Sequence, residues 1–135
     1  MPRGTGSGWD GIGGDMRNLV GTEVRRIGQT CLWSWQGWLS AWSREKSLRQ
    51  WTLVNLGSTG LALVLDLSAA ERALILGLGL VLLAAELMNT AIEEVVDYIS
   101  TEIDPRAKRA KDCGSAAVAL VALAGGVAWV VILTG

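Results

Sequence analysis

The 135-residue chain has no histidine and no phenylalanine, and only two cysteines and two prolines. Without histidine it lacks the commonest general base and metal ligand near neutral pH. Acid–base work must then fall to carboxylates, and any metal is expected to be a hard, oxygen-preferring cation. Cys31 and Cys113 both fall on the side expected to face the cytoplasm, so they are read as reduced packing thiols rather than a disulfide. No G-x-x-x-x-G-K-[ST] phosphate loop occurs. The first 14 residues, MPRGTGSGWDGIGG, hold six glycines and no apolar run. A signal peptide needs such a run behind a basic start, so residues 1–15 are read as a disordered extension.

What the chain does have is apolar sequence and segregated charge. Half the residues are hydrophobic, mean hydropathy is +0.36, and there are 7 tryptophans. Residues 116–133 (AAVALVALAGGVAWVVIL) are 18 uncharged, mostly apolar residues, enough for a short transmembrane helix. Residues 71–99 read as a longer span, apolar in its first half. Residues 50–67 form a weaker span, diluted by Asn55, Ser58 and Thr59, with Gly57 and Gly60 allowing close helix packing. Of 12 Lys and Arg, seven precede residue 50, four lie in 106–111 and only Arg72 lies elsewhere. The positive-inside rule then puts the N-terminus and the 100–112 loop in the cytoplasm, with the C-terminus outside. Ahead of the first span, residues 16–43 read as an amphipathic helix. Leu32, Trp35, Leu39 and Trp42 share one face with Trp38 at its edge, which suits a helix lying on the membrane surface or packed on the other helices. The fold class expected is an all-α membrane protein, a surface helix plus three spans, with the third over 111–134.

The most informative segment is AELMNTAIEEVVDYIS, residues 85–100. At 100° per residue, Glu86, Asn89, Thr90, Glu93 and Asp97 form one stripe. The preceding Ala73–Ala85 carries no charge, so the stripe begins inside a membrane span. An ionisable group there costs at least a few kcal/mol and marks function more often than structure. The stripe climbs roughly 16 Å from Glu86 to Asp97 at 1.5 Å per residue. It thus joins a deep carboxylate to the cytoplasmic surface, a gradient suited to bringing a soluble donor to a lipid headgroup. Glu45 and the pair Lys111–Asp112 are expected at the depth of Glu93 and Asp97. Paired acids can hold Mg²⁺, and a nearby lysine can neutralise phosphate charge. The plainer readings are that Asp97 is a solvated helix end, that Glu94 is a solvated neighbour off the stripe, and that Arg106, Lys108 and Arg109 only set topology.

These segments resemble a known family, the small integral-membrane prokaryotic diacylglycerol kinases and the related undecaprenol kinases. ELMNTAIEEVVD (86–97) resembles the signature E-[LI]-[LM]-N-[ST]-A-I-E-x-x-V-D. RAKRAKDCGSAAV (106–118) resembles a second signature centred on A-K-D-x-x-[AS]-[AG]-A-V, and WSWQGWLSAWSREKSLRQ (33–50) resembles the surface-helix entry with Gly37, Ala41 and Glu45 in register. The likeness covers about residues 26–135. It implies a homotrimer of three-span chains, active sites shared between subunits, and ATP-dependent phosphorylation of a lipid alcohol at the cytoplasmic face of the bacterial inner membrane. It implies Glu86 as general base, Glu45 and Glu93 as ligands of Mg²⁺, and Lys111 and Asp112 on ATP with Lys111 at the phosphates. Asn89 and Asp97 would line the same site and Ser34 would lie near the phosphates. Arg26 and Ser115 would touch the lipid, and no nucleic acid partner is expected.

Departures from the pattern bear on the substrate. Trp33 stands where the diacylglycerol kinases often carry a tyrosine near the nucleotide, so stacking persists without a phenol. Trp51 stands where that subgroup has an acid, and Asp104–Pro105 replaces a loop that often carries histidine. The CGSAAV run at 113–118 favours diacylglycerol, whereas Pro105 and the missing acid at 51 lean toward undecaprenol; diacylglycerol is the expected substrate. A small proton-coupled transporter would explain Glu86 but not Glu45, Lys111 and Asp112. A non-catalytic scaffold would use the stripe only to join helices.

Overall fold

The computed structural model describes residues 9–99 and 104–135, with side chains described from residue 21. These residues form four helices: α1 (Trp9–Arg44), α2 (Lys46–Val64), α3 (Ala69–Ile99) and α4 (Pro105–Thr134). The chain divides into two compact units, Met1–Leu39 and Ser40–Gly135. Of the extension expected at 1–15, residues 1–8 lie outside the described residues, and α1 already runs from Trp9.

In the first unit, α1 exposes the side chains of Val24, Ile27, Leu32, Trp33, Trp35 and Leu39. Thr30 and Ser34 each donate their hydroxyl to the carbonyl four residues back, Arg26 and Thr30 respectively. Glu23 and Arg26 pair one turn apart at 2.9 Å. These polar groups are thus bonded within the helix itself while the apolar side chains remain uncovered.

The second unit opens where α1 stops. Glu45 adopts extended backbone, φ −94° and ψ 115°, and separates α1 from α2. The Arg49 guanidinium reaches back to the carbonyls of Trp42 (2.8 Å) and Ser43 (3.4 Å), groups that the end of α1 would otherwise leave unpaired. At the far end of α2, Arg72 does the same, donating to the carbonyls of Ala62 and Leu67 at 3.1 and 3.2 Å. α3 begins with a capping box. Ser68 accepts from the Glu71 N–H, and the Glu71 carboxylate accepts from the Ser68 N–H at 2.7 Å. α4 begins with Asp104 as N-cap, accepting from the Arg106 N–H at 2.6 Å, and Pro105 in the first turn. That start corrects one expectation: residues 105–112 are helical rather than loop, because the Asp104–Pro105 pair is a strong helix-start signal. Arg106, Lys108, Arg109 and Lys111 therefore project from the first turns of α4.

α3 packs against both α2 and α4. Ala62, Ile75 and Ala128 form the buried centre, with Leu67, Leu78, Trp129 and Ile132 against it. The Trp129 indole N–H donates to Ser58 Oγ at 2.8 Å, tying α4 to α2. α3 and α4, 31 and 30 residues long, are apolar enough to cross a membrane, yet only 17% and 11% of their apolar windows is buried. The core helix of a water-soluble protein would be mostly buried, so these exposed apolar faces call for a lipid or protein environment. α2, 19 residues, occupies the place of the weaker expected span and is less apolar than α3 and α4.

Candidate active site

The site is assembled from three stretches of the second unit: the start of α2, the polar half of α3 and the first half of α4. The stripe of α3 runs from buried Glu86 through half-buried Asn89, Thr90 and Glu93 to exposed Asp97. Glu86 is 3% exposed, the one buried polar or charged residue among the described side chains. A carboxylate at such a position is kept at a cost of several kcal/mol. A cleft of roughly 330 Å³ opens beside it, lined by Ser47, Trp51, Glu86, Asn89, Glu93, Ser115, Val118 and Ala119. Of the residues singled out in the sequence, the fold thus brings Glu86, Asn89, Glu93 and Ser115 into one cavity.

Within it, Asn89 Nδ2 donates to Glu93 Oε1 at 3.0 Å. Glu93 is half-buried, so this N–H fixes one of its carboxylate oxygens and leaves the other free to bind elsewhere. Asn89 Oδ1 is buried with no hydrogen-bond partner. It occupies the space that a Cβ at Gly114 would need. The close approach of α3 and α4 here depends on that glycine.

Farther along, Lys111 Nζ donates to Asp97 Oδ1 at 2.6 Å, bridging α4 and α3. Lys108 and Asp112 pair one turn apart on α4 at 2.5 Å, and Arg44 pairs with Glu94 at 3.5 Å. The sequence left Glu94 as a solvated neighbour; it is exposed and carries this pair. Such exposed pairs contribute about 0–1 kcal/mol each, and their importance is where they hold the charges. Glu45 is half-buried at the α1–α2 junction and makes no capping hydrogen bond with its side chain. Trp33, Ser34 and Arg26 lie on α1 in the first unit. Trp33 is exposed, Ser34 is bonded to its own helix, and Arg26 is paired with Glu23. Cys31 and Cys113 are free thiols.

Sequence reasoning did not single out Ser47, Val118, Ala119 and Gly114. Ser47 had a usable signal, since it lies two residues after Glu45 at a helix start. Gly114 sits inside the AKDCGSAAV stretch without an isolated mark of its own. Trp51, noted only as a departure, lines the cleft and also a second, more apolar one of about 220 Å³ with Asn55, Ser58, Leu78, Gly79 and Trp129. Asp104, the other departure, is the N-cap of α4. The Arg106 backbone N–H, and after it the Arg106 guanidinium, hold its carboxyl below the usual carboxylate range.

Chemically, the arrangement offers a water-poor carboxylate beside a second carboxylate held by an amide, with lysines on the adjoining turns. It can take a proton from a bound hydroxyl and neutralise anionic charge. Among the described residues no three acidic or cysteine side chains converge on one point. Glu93, half-buried with one oxygen held by Asn89, is a hard oxygen donor of the type that binds Mg²⁺ together with substrate oxygens and water.

The chain is similar to known proteins over most of its length. The profile of the family described as "Prokaryotic diacylglycerol kinase" matches residues 32–133. A protein named diacylglycerol kinase from Pseudomonas aeruginosa is 42% identical over 116 residues, covering 84% of this chain and 93% of that protein. The diacylglycerol kinase of Escherichia coli K12 is 35% identical over 112 residues, covering 83% and 92%. That of Haemophilus influenzae is 36% identical over 108 residues, covering 80% and 92%. The matched stretch contains every residue that lines the cleft around Glu86.

Proposed function

This chain belongs to the prokaryotic diacylglycerol kinase family and is a membrane lipid kinase, and from that premise we propose that it phosphorylates diacylglycerol to phosphatidic acid at the cytoplasmic face of the bacterial inner membrane. The observation that carries the reading is Glu86: a buried carboxylate in a cleft it shares with Asn89, Glu93 and Ser115. In this reading Glu86 takes the proton from the lipid hydroxyl. The hydroxyl oxygen forms a bond to the γ-phosphorus of ATP as the bond to the ADP oxygen breaks. Phosphoryl transfer is mostly positioning and charge neutralisation, so it needs no phosphate loop.

Glu93, with Asn89 fixing one of its oxygens, and Glu45 at the helix junction are the residues that would hold Mg²⁺. When bound, the cation would neutralise charge on the phosphates. Lys111 would leave Asp97 for the phosphates, with Asp112 beside it, while Trp33 and Ser34 would contact the nucleotide. Arg26 and Ser115 would meet the lipid. Three spans per chain, a cytoplasmic N-terminus, an external C-terminus and a homotrimer with shared active sites complete the proposal. The basic residues clustered before residue 50 and at 106–111 support the orientation.

The test is phosphate transfer from radiolabelled Mg·ATP by the purified protein in mixed micelles, with diacylglycerol and undecaprenol offered side by side. Label in phosphatidic acid is expected. Label in undecaprenyl phosphate would move the substrate to the other lipid alcohol, and label in neither would refute the kinase assignment on these acceptors.

A further inference from the structure

Gly114 is buried on α4 and faces α3. A Cβ there would fall on Asn89 Oδ1 and stand 3.5 Å from Ile92 Cδ1. Glycine inside a helix is otherwise disfavoured relative to alanine, so the position is kept open against the helix's own preference. The carboxamide seated in that opening has two ends with different fates. Its Nδ2 donates to Glu93 Oε1 at 3.0 Å. Its Oδ1 is buried and unpartnered. An orphaned acceptor is unfavourable, so Oδ1 does not set the pose. The room at Gly114 and the bond to Glu93 set it.

We infer that Gly114 is a positioning residue for phosphoryl transfer: by lacking a side chain it seats Asn89 so that Nδ2 holds the Glu93 carboxylate in the orientation that binds the divalent cation. The inference rests on the proposed role of Glu93. A methyl at 114 displaces the carboxamide, breaks its bond to Glu93 and lets that carboxylate swing. Loss of a group that orients a metal ligand typically weakens metal binding about 10–100-fold. A glycine serving only close helix packing would behave differently, since its replacement would disturb assembly and leave cation affinity in the folded protein unchanged.

The experiment uses the full-length protein in detergent micelles with a non-hydrolysable ATP analogue, and reads Mn²⁺ binding by electron paramagnetic resonance. Mg²⁺ dependence of lipid phosphorylation is measured in parallel. Gly114→Ala should raise the Mn²⁺ Kd and the Mg²⁺ half-saturation by about 10–100-fold, with the KM for lipid unchanged. The double variant Gly114→Ala/Asn89→Ala should bind Mn²⁺ no more weakly than Asn89→Ala alone, because the two changes break one relay. Unchanged Mn²⁺ affinity in a folded Gly114→Ala protein, or losses that add in the double variant, would overturn the inference while the kinase reading stands. Should Gly114→Ala fail to fold, Asn89→Ala with Gly114 in place must show the same weakening, and its absence is equally decisive. A wild-type protein that binds no Mn²⁺ beside the nucleotide would overturn the cation role of Glu93 and this inference with it.

Discussion

Replacing Glu86 by glutamine removes a proton acceptor and leaves shape and volume almost unchanged. The side chain is 3% exposed, so an isosteric amide fills the same space and opens no cavity. A positioned general base contributes about 10²–10⁴-fold to rate. At 1.36 kcal/mol per tenfold, that is about 3–5 kcal/mol of transition-state stabilisation lost. Stability should move the other way or not at all, since a neutral amide removes the desolvation of a buried carboxylate. The assay pairs steady-state lipid phosphorylation in mixed micelles with calorimetric nucleotide binding and thermal unfolding followed by helix content. The expected result is a kcat reduced at least about 100-fold, nucleotide affinity unchanged, and a Tm equal to or above that of wild type. Turnover within a few-fold of wild type would refute the assignment of Glu86 as base, and a collapse of helix content would mark the carboxylate as structural.

Other expectations follow from the same geometry. Glu93→Gln and Glu45→Gln should each raise the Mg²⁺ concentration needed for half-maximal activity; a flat response across a Mg²⁺ titration would remove the residue from the cation site. Lys111→Ala should raise the KM for ATP about tenfold or more, by loss of a charge-assisted phosphate contact worth ~1.5–3 kcal/mol. Asp97→Asn should change it far less, because its bridge to Lys111 is half-exposed; equal effects would make Asp97 a nucleotide contact in its own right. Asp104 provides a pH test, since Arg106 holds its carboxyl below the ordinary value. A depressed folded pKa gives stability that is full above the unfolded value and lost as pH falls through the folded one. The Tm difference between wild type and Asp104→Asn, which can still cap, should persist at pH 6 and begin to shrink below about pH 3.9. A difference independent of pH would locate the effect outside the carboxyl charge.

The stripe on α3 was legible because helical periodicity alone decides which residues share a face, and the helix is real over Ala69–Ile99. Burial of Glu86 was legible for the same reason: an acid after a long uncharged run has no route to water along its own helix. The start of α4 is not legible from charge alone, because a basic cluster reads as a loop when topology is the only guide, whereas Asp104–Pro105 sets a helix start that carries those cations inside it. The pairing of Lys111 with Asp97 could not be read, since it depends on how two helices meet rather than on either sequence. Ser47 and Gly114 escaped for a similar reason: a small residue has no periodic signal until its neighbour across the helix interface is known.

Two asparagine–glycine contacts show how the same packing device yields different consequences. Asn55 Oδ1 lies where a Cβ of Gly79 would be, and Asn89 Oδ1 lies where a Cβ of Gly114 would be. In each, a missing side chain on one helix accommodates a carboxamide from another. Asn55 turns its N–H₂ back to its own helix, donating to the Trp51 carbonyl at 3.1 Å. Its donor is thus spent on its own backbone, and toward α3 it contributes only the approach of the two helices. Asn89 gives its donor to the Glu93 side chain, one turn on along the same helix, rather than to a backbone carbonyl. Its acceptor is left orphaned, at about 1–3 kcal/mol. A carboxamide whose donor goes to a neighbouring carboxylate rather than to its own backbone orients that carboxylate as well as packing. That difference separates the contact that only joins helices from the one that aims a carboxylate into the cleft beside Glu86.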